Sequence, residues 1–171
     1  VVNGFMESYQ AEIAAYEIDK LLELDLVPPT VERRVNGDFG AGIMWVAPTT
    51  TFRKLGGAPV APPRYFHEFN RQMIRAKMFH NLIGNRDPNL GNWLVDPAWN
   101  LTLIDHSRAL TTFTTRPHQL TRIDGPLWEK MLAKMPDYMV DERGIIKEWL
   151  TPLLTNNDSH RHSSQLYPLY D

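Results

Sequence analysis

The chain has 171 residues, of which 43% are hydrophobic and 22% charged, with a formal net charge of −2. That is enough for one ordinary core or two small lobes, and the near-neutral balance offers no electrostatic footprint for nucleic acid, which is not expected as a partner. The absence of cysteine excludes disulfides, thiolate metal sites and cysteine nucleophiles and fits a cytoplasmic location, and no apolar run is long enough for a transmembrane segment.

From Glu7 to about Leu26, Ile13, Ile18, Leu21, Leu22 and Leu26 recur near helical spacing between charged residues. Val27-Pro28-Pro29 is expected to stop this helix, because proline disfavours the helical region for the residue before it. Val1 does not read as a natural start, so a fragment or processed chain is expected. Two strands follow in the reading, Thr30 to Val35 and Ile43 to Ala47, around a turn-rich loop from Asn36 to Gly42. Asp38-Phe39-Gly40 lies within that loop and is read as turn chemistry. Pro48 to Arg64, rich in threonine, glycine and proline, reads as an irregular connector.

A second helix is predicted from about Tyr65 to Ile83, with Phe66, Phe69, Met73, Ile74, Met78 and Leu82 on its apolar face and Gly84-Asn85 as its stop. A short hairpin, Asn92–Asp96 and Leu101–Ile104, comes next, then an irregular stretch to about Asp124. Two shorter helices are predicted at Pro126–Met135 and Asp141–Leu154, followed by a polar tail. The order describes an α+β chain.

Between the second helix and the hairpin stands Asn85-Arg86-Asp87-Pro88-Asn89-Leu90-Gly91-Asn92, and Asp105 ends the hairpin. The loop brings Asp87, Asn92 and Asp105 to one edge of a small sheet. A carboxylate near an attacking hydroxyl, with an amide oxygen and a second carboxylate on magnesium, is the set that phosphoryl transfer uses. Each residue taken singly is also ordinary turn chemistry. His67, His80 and His118 read as isolated, His80 as a packed or half-exposed helix residue rather than a ligand, and His160-Arg161-His162 as part of a polar tail. No Gly-x-Ser-x-Gly or His-Glu-x-x-His pattern points to a serine hydrolase or a zincin.

This segment resembles the catalytic and metal-binding loops of the atypical protein-kinase-like superfamily, on the branch of phosphatidylinositol 3-/4-kinases, HipA-like kinases and secretory-pathway FAM20-like kinases. Asn85-Arg86-Asp87 stands where ordinary members have His-Arg-Asp, and Asp105-His106-Ser107 where they have Asp-Phe-Gly. The helix from Glu12 to Asp19, with Leu26-Val27-Pro28-Pro29-Thr30, is similar to the corresponding entry of type II phosphatidylinositol 4-kinases. The resemblance implies a protein-kinase-like α+β fold: a partial N-lobe at 1–47, a hinge or connector at 48–64, and a mostly helical C-lobe with a catalytic-loop hairpin at 65–171. It implies ATP and Mg2+ as cofactors and an unidentified hydroxyl acceptor on a protein, lipid or small molecule. Asp87 would be catalytic, Asn92 would serve catalysis and metal binding, and Asp105 would bind metal. Glu12 would pair with a phosphate-binding lysine, and Trp45, Val46 and Ala47 would form an adenine-facing strand. No lysine precedes Glu12, so a catalytically inactive kinase-like nucleotide-binding or interaction module is the alternative. An unrelated α+β domain in which the loop residues merely make turns is the third reading.

Overall fold

A computed structural model describes residues 7–87, 89–110 and 117–135. The first element, α1 (Tyr9–Leu22), buries Ala11, Glu12, Ala15, Asp19 and Leu22. Their spacing makes one helical stripe, and two of its members are carboxylates, which require partners at that depth. The helix ends four residues before the sequence-predicted Leu26. Glu23 and Asp25 both adopt left-handed φ of 56°, and the Leu24 N–H returns to the Asp19 carbonyl at 3.2 Å. The Asp19 carboxylate then accepts the Leu26 N–H at 3.1 Å. This reversal sends Leu26 and Val27 into the core, so local capping rather than the prolines stops the helix.

The next pair, β1 (Thr30–Val35) and β2 (Asp38–Ile43), is a two-stranded antiparallel hairpin. Val35 pairs directly with Asp38, leaving Asn36-Gly37 as a two-residue turn with φ of 53° and 97°. Both central residues at positive φ is the geometry that matches the twist of two strands, and Asn-Gly supplies it. The expected seven-residue loop is therefore corrected: Asp38-Phe39-Gly40 lies in β2. The expected strand through Trp45-Val46-Ala47 is corrected too, because those residues follow β2 without regular structure and Trp45 is 88% exposed.

Inside the proline-rich connector, β3 (Thr50–Thr51) pairs with β4 (Trp93–Val95), which pairs with β5 (Leu101–Leu103). The hairpin read from sequence thus becomes the greater part of a three-stranded antiparallel sheet. A single 3-10 turn, Pro63–Tyr65, leads into α2 (Phe66–Ile83). Gly84, at φ 58°, ends α2 where the sequence placed the stop.

Two buried clusters meet on α2. Phe69, Ala76, Phe79 and Ile83 pack with Phe52, Trp93, Val95, Leu101 and Leu103 of the sheet and with Ala15, Leu26 and Val27. Met78 and Leu82 pack instead with Leu22 and with Leu127, Trp128 and Met131 of α3 (Gly125–Lys134). The α3 N-cap is Asp124, whose side chain accepts the Leu127 N–H at 2.9 Å. The same buried carboxylate receives Arg71 Nε at 3.1 Å and Arg75 Nε at 2.9 Å from α2. One acid therefore both starts α3 and docks it. The helix predicted at Asp141–Leu154 lies outside the described residues. No helix among those described is long and apolar enough to cross a membrane.

Candidate functional site: a carboxylate loop between α2 and β5

Gly84 turns the chain out of α2, and the Asn85 N–H bonds back to the His80 carbonyl at 3.0 Å. The buried Asn85 side chain accepts the Asp87 N–H at 3.1 Å, an Asx turn at the exit of the helix. Asn89 makes a second such turn, accepting Gly91 N–H at 2.7 Å and the Arg53 guanidinium. Asn92 closes the loop. Its Nδ2 donates to the Asp87 carbonyl at 3.5 Å, its N–H to the Asn89 carbonyl at 2.9 Å, and its own carbonyl accepts the Ile104 N–H at 3.0 Å. Asn92 is thereby the buried strut between the Asp87 turn and the segment that presents Asp105.

Asp105 is exposed and sits in the left-handed region at φ 61°. A non-glycine residue is strained there and persists only when its surroundings over-determine it. Ser107 Oγ donates to Asp105 Oδ1 at 3.0 Å, and the His106 N–H donates to Glu12 Oε2 at 2.9 Å. Burial alone would push the Glu12 carboxyl up, but the His106 side chain and the backbone N–H groups of His106 and Ser107 outweigh it and hold it below the usual carboxylate range. The carboxylate of α1 thus anchors the turn that carries Asp105. His106 Nδ1 lies 3.7 Å from the same oxygen, too long for a hydrogen bond.

Arg108, three residues after Asp105, bridges Asp87 and Glu7. Its Nη1 is 3.3 Å from Asp87 Oδ2, while Nε and Nη2 bond Glu7 Oε1 at 3.1 and 3.0 Å. Sequence reading missed Arg108, since a lone arginine three residues after Asp105 carries no periodic signal. It also missed a buried imidazole cluster. His80 Nδ1 is 3.1 Å from His118 Nε2, and the His80 and His106 rings lie 5.7 Å apart, centroid to centroid. His80 and His118, which looked isolated in sequence, are partners.

Of the residues singled out from sequence, Glu12, Asp87, Asn92 and Asp105 are linked through these bonds into one region. Trp45, Val46 and Ala47 lie apart from that region, on the irregular segment after β2, where the Val46 carbonyl accepts the Thr49 Oγ1 hydroxyl at 3.1 Å. Among the described residues, no group of three or more histidines and carboxylates is arranged to hold a metal ion.

Residues 93–171 match the glycosyl hydrolase family 95 catalytic domain. The match covers less than half of the chain, begins at β4 and includes Asp105. It corrects the kinase-like reading. A match to a glycosidase catalytic domain points to hydrolysis of a glycosidic bond rather than transfer of a phosphoryl group from ATP, and the inactive kinase-like alternative gives way with it. Aspartate and asparagine serve magnesium sites, and paired carboxylates also serve glycosidases, so residue type along the chain does not separate the two chemistries. No curated protein matches the chain.

Proposed function

We propose that the chain serves glycoside hydrolysis, with Asp105 and Asp87 as its acid–base carboxylates. The observation that carries the reading is the glycosidase match across a segment in which Asp105 stands apart from the other described acids. Asp96 has both oxygens occupied by Asn100, at 2.8 Å each. Asp124 is buried between two arginines and caps α3. Glu129 lies on the outer face of α3. Asp105 alone among them combines exposure with a left-handed backbone and a place in the cluster that includes a second acid.

Hydrolysis needs one carboxyl to protonate the leaving oxygen and another to activate water or attack the anomeric carbon. The glycosidic C–O bond breaks, water supplies the hydroxyl to the anomeric carbon, and its second proton ends on the base. Arg108 keeps Asp87 in place beside the reacting region, and Asn92 sets the spacing between the Asp87 and Asp105 turns. Family resemblance supplies the reaction class; the bonds around Asp105 supply its residues.

The test is release of the aryl alcohol from a panel of α- and β-aryl glycosides by the full chain. Release is expected for at least one sugar, falling by roughly 10²- to 10⁴-fold in Asp105→Asn, the range that a positioned acid or base contributes. Undiminished turnover in both Asp105→Asn and Asp87→Asn would remove these residues from the chemistry. No release from any member of the panel would sink the proposal itself.

A further inference from the structure

Away from the Asp87–Asp105 loop, a cleft of about 440 Å³ opens between α2 and the segment from Gln119 to Arg122, with Ala58 and Pro59 at one end. Its lining includes the apolar side chains of Phe66, Phe69 and Met73. Lys77 and Arg122 bring two cations to the same cleft, and Asn70 and Gln119 bring two amides, each with donors and an acceptor.

Lys77 is half-buried and has no carboxylate partner among the described residues. Its ammonium lies close enough to His118 to disfavour protonation of that ring, although burial is the larger cause. A partly desolvated cation without a counter-charge favours an anion beside it. An aromatic face, amide donors and two cations around one open cleft together describe the chemistry of an acidic sugar. The ring face of a sugar packs on an aromatic side chain, its hydroxyls bond amides, and its carboxylate meets Lys77 and Arg122.

The wall opposite α2 is held in place independently of any ligand. Asn81 pairs with the His118 backbone in both directions, donating to its carbonyl at 2.9 Å and accepting its N–H at 3.0 Å. The His80–His118 contact adds a side-chain tie. The cleft is therefore preformed, which lowers the ordering cost of binding.

We infer that this cleft is an ancillary binding site for a uronic acid residue, recognised by Lys77 and Arg122 over the Phe66 face. The choice of a sugar rests on the glycosidase reading above; the requirement for negative charge rests on the cleft alone. None of its lining residues belongs to the carboxylate loop, so occupancy and hydrolysis are separable.

The experiment is an NMR titration of the full chain with methyl glucuronide and, in parallel, with uncharged methyl glucoside. Shifts are expected around Lys77, Phe66 and Arg122 with the glucuronide, and binding of the glucoside at least about tenfold weaker, as loss of a charged hydrogen bond implies. Lys77→Met with Arg122→Met should abolish the difference, whereas Lys77→Arg with Arg122→Lys should retain it in an equally folded protein. Equal binding of the two sugars, shifts confined to the carboxylate loop, or no binding of either would overturn the inference. Glucuronide binding without hydrolysis of any glycoside would leave the anionic site standing and remove only the catalytic proposal.

Discussion

Asp19 shows how much a single buried acid depends on where its neighbours lie. Burial pushes its carboxyl up to about 7 and the nearby Asp25 charge adds to this, while backbone N–H groups of Leu26, Val27 and Asp25 oppose it. Its folded pKa thus exceeds the ordinary 3.8, so the unfolded chain releases this proton first as pH rises. The resulting penalty is absent at low pH, grows through the interval up to about 7 and is constant above it. Asp19→Asn keeps an oxygen for the Leu26 N–H without the charge, and it should melt above the parent protein at pH 8. Thermal scans from pH 4 to pH 8 should show that gap closing on the acid side; a gap that widens toward acid would refute the account. His118 works in the opposite sense. Burial and Lys77 lower its pKa to about 4, and burial with His106 and His118 holds His80 well below 6.5. The unfolded chain takes up these protons first, so stability should fall as pH drops from about 6.5 toward 4. Urea titrations across that interval should show a shallower decline in His118→Gln. Neither effect was legible in sequence, because Asp19 looks like a solvated helix charge and the histidines are far apart along the chain.

At the scale of elements, α2, α3 and the Thr30–Val35 strand were legible because their information is local: an apolar period, a terminal Gly84, a proline in the first turn of α3. The β2 strand was not. Asn36-Gly37 is a strong turn signal, yet the glycines at 40 and 42 imitate a longer loop, and only the pairing with β1 recruits them. At Gly42 the glycine is required by a neighbour, since a Cβ there would stand 2.7 Å from Arg33 Cγ. At Gly37 the requirement is the backbone itself, at φ 97°. Gly37→Val should therefore destabilise the hairpin by about 1–2 kcal/mol, read by chemical denaturation, with amide exchange accelerated along β1 and β2. Asp124 adds a polar tie to the apolar docking of α3. Asp124→Ala removes the cap and the carboxylate that Arg71 and Arg75 share, at a cost of about 1–3 kcal/mol given the partial exposure of both arginines. A loss below 1 kcal/mol in the same measurement would show that apolar packing alone holds α3.

Across the whole molecule, α2 and α1 both join the two buried clusters, α2 with Phe79 and Ile83 on one side and Met78 and Leu82 on the other, α1 with Ala15 and Leu22. The sheet is stitched to the N-terminal part by the Leu103 N–H to Leu26 carbonyl bond at 2.7 Å, and the segment after β5 to α2 by the Leu110 N–H to Ile83 carbonyl bond at 2.7 Å. Leu103 is fully buried, and Leu103→Ala should cost about 3–5 kcal/mol by the transfer and cavity terms for a core leucine. Because its backbone joins α1's exit to the sheet, amide exchange should quicken in both regions together; faster exchange confined to β4 and β5 would show that they open independently. The carboxylate loop inherits its geometry from this framework, being slung between the end of α2 and the end of β5.

Sequence by itself determined the α+β class, the two longest helices and the short hairpin, and it singled out Asp87, Asn92 and Asp105 as candidates. These follow from side-chain period, turn chemistry and residue type, which act over a few neighbours. Tertiary structure decided what those residues touch. The Glu12 carboxylate reaches the His106 N–H across most of the described chain, Arg108 draws Asp87 toward the Asp105 turn, and His80 meets His118 only because the segment after β5 folds back on α2. The same spacing of acids suits a metal site or an acid–base pair, and spacing along a chain cannot distinguish them. What separates the two is the arrangement of counter-charges and donors in space, which long-range packing alone creates.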